Sequence, residues 1–286
     1  MAATLYLVAT PIGNLDDITL RALKILRDSV ALIACEDTRQ TQKLLDHFDI
    51  RKPLVSYHDH NEATRTTGLL ERLSQGESIA LVSDAGTPLV SDPGYRLVVA
   101  AIENGYPVVP IPGASAALAA LTASGLPVDQ FRFIGFLPSK ANQRRKLFED
   151  FAADLSTIVA YESPHRILST LEDIQSILGN RRIVLARELT KIHEEFLRGS
   201  PADLKRSLEN RPSIKGEFTL LIARAEDVSP PKDVDPIQEI QRLQDETGLD
   251  RKEAIKAVAK RLGLPKREVY RLAAEQDNSP PDKHRD

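Results

Sequence analysis

Four short strand-like runs, apolar but for Ser56 and each breaking at its carboxyl end into polar or Gly/Pro-rich residues, constrain this chain more than any other feature. Leu5-Tyr6-Leu7-Val8-Ala9 breaks at Thr10, Val30–Cys35 at Glu36, Leu54–Tyr57 at His58, and Ile79–Val82 at Ser83. Unbroken apolar runs of this length suit strands buried on both faces, as in a parallel sheet. Helical patterns separate them. One carries Leu20, Leu23, Ile25 and Leu26 behind Asp17 or Thr19 as cap, one carries Leu44 and Leu45, one spans Thr64 to Gln75, and one aligns Leu97, Val98, Ala101 and Ile102. Val108–Ile111 adds a fifth strand that leads through Pro112-Gly113-Ala114-Ser115 into an Ala-rich helix. Five rounds of strand and helix predict a mostly parallel sheet with helices on its faces. The exits at Thr10, Glu36, His58 and Ser83 then gather along one sheet edge, where open α/β sheets bind ligands.

The richest exit is Leu81 to Leu97, LVSDAGTPLVSDPGYRL. Two glycines and two prolines fix backbone N–H and C=O groups at set angles, and Asp84 and Thr87 add polar side chains. The plain alternative is an ordinary strand-to-helix loop.

The second half alternates differently. Phe131–Phe136, Thr157–Tyr161, Arg182–Arg187, Glu194–Gly199 and Gly216–Ala223 read as a mixed sheet of about five strands. Helices are expected at Lys140–Phe151, with Arg144, Arg145 and Lys146 on it, at Ile167–Leu178 and at Ala202–Leu208. Ser229-Pro230-Pro231 marks a linker. Residues 235 to 276 follow as three short helices, with a Gly263-Leu264-Pro265 turn in helix-turn-helix outline. Arg251 to Arg271 holds eight Lys or Arg against two Glu, a basic patch that reads either as a solvated face or as a nucleic-acid contact. The expected division is therefore an α/β domain over 1–115, a second over 116–228, a basic helical domain over 235–276 and a disordered tail over 277–286.

Net charge -3 excludes a wholly basic nucleic-acid binder, so any such contact falls to a local patch. Cys35 is the one cysteine, which excludes an internal disulfide framework and a cysteine metal site. His58 and His60 form an H-x-H pair that fits a solvated loop better than a metal site, and no metal is expected. The N-terminus lacks a basic segment followed by an apolar one, and Gly113–Gly125 is too short to span a bilayer. A soluble, cytoplasmic protein with no membrane partner is expected. No G-x-x-x-x-G-K-[ST], G-x-S-x-G or zinc signature is present, and the first exit reads A-T-P-I-G-N rather than G-x-G-x-x-G. Loops rich in backbone groups, hydroxyls and carboxylates suit a neutral or cationic ligand better than a polyphosphate.

LYLVATPIGNLDDITLRAL, ACEDTR, LVSDAGTPLVSDPGYRLV and PIPGASAALAALTASGLP together resemble the tetrapyrrole methylase superfamily. Within it they are similar to the ribosomal RNA branch, the small-subunit rRNA cytidine-2′-O-ribose methyltransferases. The resemblance covers roughly residues 4 to 225, and ATPIGN followed by DDIT is its most specific part. Where many superfamily members read G-D-P, this chain reads Gly86-Thr87-Pro88. The resemblance implies two α/β domains of the tetrapyrrole methylase type that bind S-adenosylmethionine in the cleft between them. By position it implies cofactor contacts from Ile12, Thr87, Pro88, Val90, Ser115 and Ala116, and from Tyr161, Glu162 and Leu189 in the second domain. Plain helix-start packing is the alternative for Ser115 and Ala116. It also implies a homodimer acting on small-subunit ribosomal RNA or the assembled subunit.

Transfer to a ribose hydroxyl is an in-line displacement that gains from alignment and from a base near the hydroxyl. Glu36, Asp37 and Asp84 are the candidate bases because they leave adjacent strands into the same cleft, with His58 behind them. The alternative for each carboxylate is loop capping or an ion pair with Arg39. Candidate RNA contacts are Arg39, Arg144, Arg145 and Lys146, with Lys256, Lys260, Arg261, Lys266 and Arg267 on the basic helices. A methylase of a tetrapyrrole-like small molecule and a non-enzymatic RNA-binding assembly factor are the competing readings.

Overall fold

The computed structural model describes residues 3–225, 235–262 and 264–277. Ser229, Pro230, Pro231, Gly263 and residues 278–286 lie outside the described residues, and with them the expected linker and nearly all of the expected tail. The side chains of Lys260 and Arg261 lie outside them too.

The first half is a parallel sheet of β1 (Leu5–Val8), β2 (Leu32–Cys35), β3 (Leu54–Ser56), β4 (Ile79–Val82) and β5 (Val108–Ile111), in the order β3-β2-β4-β1-β5. Its inner strands β1, β2 and β4 are apolar throughout because both faces are covered. Leu5, Leu32, Ala34, Ile79 and Leu81 point to one core, shared with Leu69 and Leu73 of α3 (Glu62–Ser74) and with Leu97 and Ala101 of α4 (Tyr95–Glu103). Val8, Ile33, Cys35, Ala80 and Val82 point to the other. There they meet Ala22 of α1 (Leu20–Lys24), Leu26 of the wider π turn that continues it, and Leu45 of α2 (Thr38–His47). Thr19 caps α1, its hydroxyl accepting the Ala22 N–H at 3.1 Å.

The second half is a mixed sheet of β6 (Phe131–Phe136), β7 (Thr157–Glu162), β8 (Ile183–Arg187), β9 (Glu195–Gly199) and β10 (Phe218–Ile222). The order is β6-β7-β10-β8-β9, so the last strand sits at the centre, antiparallel to both neighbours and buried along its length. One face takes α6 (Ala141–Asp150), α7 (Ile167–Leu178) and α8 (Pro201–Glu209) through Phe148, Leu171, Ile174 and Leu208. The other takes α5 (Ala116–Ser124), whose Ala117, Ala120 and Leu121 lie on Val159, Val184 and Leu221. Small residues on α5 let it approach the sheet closely, so the helix that leaves β5 packs on the neighbouring sheet. Both sheets belong to one compact unit that ends at Ala225.

A second unit holds α9 (Pro236–Thr247), α10 (Arg251–Arg261) and α11 (Lys266–Asp277). Ile240, Ile255, Val258, Leu262 and Val269 form its core. Asp235 and Asp250 cap α9 and α10 through the N–H groups of Ile237 and Glu253. No described helix is long and apolar enough to cross a membrane.

Candidate active site

The exits of β1, β4 and β5 are tied into one wall. Thr10 and Gly86 exchange backbone hydrogen bonds at 2.9 and 3.0 Å, the Thr10 hydroxyl donates to the Ser83 carbonyl at 3.0 Å, and the Thr87 hydroxyl donates to the Ala114 carbonyl at 3.2 Å. The loop between β4 and α4 is unusually bent. Leu89 and Ser91 hold φ of 70° and 71°, a region that non-glycine residues seldom occupy. Gly94 closes the bend at φ 136°, where a Cβ would lie 2.7 Å from the Leu81 side chain. Strain of this kind persists where the surroundings over-determine the backbone, and it gathers at ligand sites.

Facing this wall across a cavity of about 390 Å³ is the second sheet. Ile12, Val90, Ala116, Phe136, Tyr161 and Leu189 give the cavity apolar sides, while Thr87, Ser115 and Thr219 supply hydroxyls. Asp84 and Asp92 are carboxylates on its first wall. Size and lining suit one drug-sized ligand with an apolar body and a few polar groups. Ser115 caps α5, its hydroxyl accepting the Leu118 N–H at 3.5 Å, and Ala116 opens that helix. Tyr161 packs edge-on against Phe133 and Phe136, and burial pushes its phenol upward against the opposing Ala117 N–H.

Glu162 is one of the lining residues, but its carboxylate is saturated elsewhere. It accepts the Ser163 N–H at 2.7 Å, the Thr170 hydroxyl at 2.7 Å and the Arg166 guanidinium at 2.6 Å. Any contact Glu162 makes with a ligand is therefore through its backbone. Pro88 is buried and lies outside the cavity wall, where it shapes the loop instead.

The expectation that the exits of β2 and β3 join the same cleft needs correcting. Sheet order places β2 and β3 on the far side of β4, so Glu36, Asp37 and His58 do not line the cavity. Asp37 caps α2. Its carboxylate accepts the Arg39 N–H at 2.8 Å and a two-point clasp from the Arg39 guanidinium, and these bonds hold it down to about 2. A carboxylate held so far below neutrality is a weak base, and the same clasp occupies Arg39. Asp84 accepts the Asp37 N–H at 3.0 Å and otherwise faces the cavity and solvent. Burial first, then Asp84 and Asp59, raise the Glu36 carboxyl above its ordinary range.

Arg144 is a second correction. It is buried, its guanidinium donating to Asp173 Oδ2 at 2.5 and 2.8 Å, so it cannot reach a phosphate. Arg145 also donates to Asp173, at 2.6 Å, yet stays half exposed, and Lys146 is exposed. In the helical unit the side chains of Lys256, Lys266 and Arg267 are all exposed.

Sequence reasoning missed Asp92 and Phe136. Burial first, then Glu36, push the Asp92 carboxyl up to about 6, with Asp84 and Asp59 adding to the rise and the Ser83 hydroxyl opposing it. The Ser91-Asp92-Pro93-Gly94 break was the available signal for Asp92. Phe136 is 61% exposed at the end of β6, an apolar face left in water at the cavity edge.

The tetrapyrrole (corrin/porphyrin) methylase family matches residues 4–205. Proteins named ribosomal RNA small subunit methyltransferase I are similar along nearly the whole chain. That of Halalkalibacterium halodurans is 51% identical over 276 residues, 94% of each chain. That of Synechocystis sp. is 50% identical over 279 residues, 95% of this chain and 97% of the relative. Among solved structures, a uroporphyrin-III C-methyl transferase from Thermus thermophilus complexed with S-adenosylhomocysteine shares the fold. Its TM-score is 0.51 at 19% identity, over 78% of this chain and 98% of that one. With a two-walled cavity where two α/β halves meet and half its residues shared with full-length relatives, the chain belongs to the tetrapyrrole methylase family, on the branch of the ribosomal RNA small subunit methyltransferase I proteins.

Proposed function

We propose that this protein is an S-adenosylmethionine-dependent methyltransferase acting on the ribose 2′-hydroxyl of a cytidine in small-subunit ribosomal RNA. One observation carries the reading. Relatives with that RNA in their name match 94% of this chain, too much to leave out the helical unit beyond Ala225 with its basic stretch from Arg251 to Arg271. A small-molecule methylase has no evident use for such a unit.

The cavity fits the cofactor. Ile12, Val90, Ala116, Tyr161 and Leu189 offer apolar surface for an adenosyl group, and Thr87 and Ser115 offer hydrogen bonds. Glu162 takes part through its backbone, and Pro88 by fixing the loop. When bound, S-adenosylmethionine supplies a methyl group activated by a sulfonium. Asp84 and Asp92 give the adjoining wall the negative charge that favours a cation. Phe136 offers a flat exposed face on which a nucleobase drawn out of its stack can rest.

Lys146, Lys256, Lys266 and Arg267, with Lys260, Arg261 and the free edge of Arg145, hold the RNA backbone in this reading. The substrate is small-subunit RNA or the assembled subunit. The enzyme works in the cytoplasm as a homodimer, for which the exposed Tyr95 and Ile102 on α4 provide apolar surface.

A competition assay tests the acceptor class. Labelled S-adenosylmethionine is offered with small ribosomal subunits and a uroporphyrinogen together. Label in the RNA supports the reading, and label in the tetrapyrrole overturns it.

A further inference from the structure

We propose that the helical unit beyond Ala225 holds an unpaired nucleotide of RNA in the groove between α10 and the start of α11, and that Glu253 selects a base carrying an exocyclic amino group. The assignment rests on the reading above for its partner, RNA, and deepens it by naming what this unit grips.

The groove holds about 600 Å³ and is lined by Glu253, Lys256, Ala257 and Ala259 of α10, by Leu264 of the turn, and by Lys266 of α11. Ala259 belongs to the core of the unit and Leu264 packs against that core, so the contacts that fold the helices also fix the groove. The Leu264 N–H donates to the Ala259 carbonyl at 3.0 Å and fastens the turn to α10. The Arg251 guanidinium donates to the Ala273 carbonyl at 3.0 Å, which ties the first turn of α10 to the far end of α11. The groove is thus formed before a ligand arrives, and the small side chain of Ala257 leaves it open.

Its lining matches the parts of a nucleotide. Lys256 and Lys266 bring ammonium groups from two helices, and among the described residues neither makes an ion pair. They suit a phosphate. Ala257, Ala259 and Leu264 offer an apolar surface to the face of a base. Duplex RNA presents neither part in this way, because its bases are stacked inside and its major groove is too deep and narrow for side chains. Glu253 is the acidic member of the lining and is exposed. A carboxylate accepts a hydrogen bond from the amino group of adenine or cytosine and meets a carbonyl oxygen at the same place on uracil. Tyr270 stands one turn beyond Lys266 on the same face of α11 and is 36% exposed. Its ring gives a neighbouring base a stacking surface, which favours a strand over a free nucleotide.

The test uses the full chain with saturating S-adenosylhomocysteine. Labelled oligoadenylate and oligouridylate of about eight nucleotides are titrated by fluorescence anisotropy at several salt concentrations. Adenylate keeps the cytidine preference of the methyl-transfer site out of the comparison. Wild type should bind the adenylate about fivefold tighter, and Glu253→Gln should cut that preference below about twofold. Ala257→Leu fills the groove without removing a charge, and should weaken adenylate binding about tenfold at an unchanged salt slope. Lys256→Gln combined with Lys266→Gln should make the slope shallower by about 1.4. An Ala257→Leu protein that binds as wild type overturns the assignment and leaves the lysines a solvated basic face. A preference that survives Glu253→Gln overturns it as well, and this exposed substitution reads the site even where Ala257→Leu disturbs the unit. So does tighter binding of a duplex than of the single strand. Label entering the tetrapyrrole in the competition assay, with these affinities intact, overturns the acceptor reading alone.

Discussion

The backbone N–H of Asn14 donates to the Thr190 hydroxyl at 3.1 Å, so the loop leaving β1 is fastened to the loop leaving β8. Thr190 holds φ 66° and Glu188 φ 51°, so the second wall of the cavity carries bent backbone as the first does. Gly13 lies at the seam. A Cβ there would come 2.5 Å from Lys191 Cγ, 3.0 Å from the Thr190 hydroxyl and 3.2 Å from the Leu189 carbonyl. Gly13→Ala must therefore push the walls apart. Calorimetry should show S-adenosylhomocysteine binding about tenfold weaker, a change of about 1.4 kcal/mol. Unchanged affinity would mean the seam does not set the cavity's width.

Arg144 and Asp173 are both buried, and removing one charge strands the other. Arg144→Met should lower unfolding stability by about 3 kcal/mol in urea titrations, the low end for a broken buried pair because Arg145 still reaches Asp173. The salt dependence of RNA binding should not change, since Arg144 is buried against Asp173. A shallower salt slope would restore Arg144 as a phosphate contact.

A raised carboxyl pKa has a sign in stability. The folded chain holds the Asp92 proton more tightly than the unfolded chain does, so folding is favoured below the unfolded value near 4 and loses that contribution as pH rises through about 6. Asp92→Asn removes a cost at pH 8 on the order of 1 kcal/mol, after allowing for solvent screening of a half-exposed group. Its melting temperature should exceed wild type by about 2 °C at pH 8, with the gain gone below about pH 4. A gain that is constant with pH would contradict the burial argument.

Phe136 presents an exposed ring beside Tyr161, their centroids 5.5 Å apart. Loss of a stacking face costs roughly tenfold in RNA affinity. Phe136→Ala should show that loss in filter binding to small-subunit RNA while S-adenosylhomocysteine affinity holds. Equal weakening of both would make Phe136 a cofactor contact instead.

The first sheet was legible because Leu5–Val8, Leu32–Cys35 and Ile79–Val82 are apolar without interruption, which only strands covered on both faces require. The cavity wall was legible in part. Ile12, Thr87, Val90 and Ser115 sit in loops whose glycines and prolines announce fixed backbone. Asp92 was not legible, because its environment is made by Glu36, Asp59 and Asp84, brought together only by the strand order β3-β2-β4. Arg144 and Lys146 looked alike for the same reason. Nothing near them signals that Asp173, 29 residues after Arg144, claims one and leaves the other in water.

The central claim is methyl transfer to a ribose of small-subunit ribosomal RNA. The most direct measurement incubates the protein and labelled S-adenosylmethionine with small ribosomal subunits from cells that lack this gene, then digests the RNA with alkali. Label confined to a single alkali-resistant linkage with cytidine on its 5′ side is the predicted result. Label in alkali-sensitive nucleotides, or none in subunits or free RNA while S-adenosylhomocysteine demonstrably binds, would contradict it.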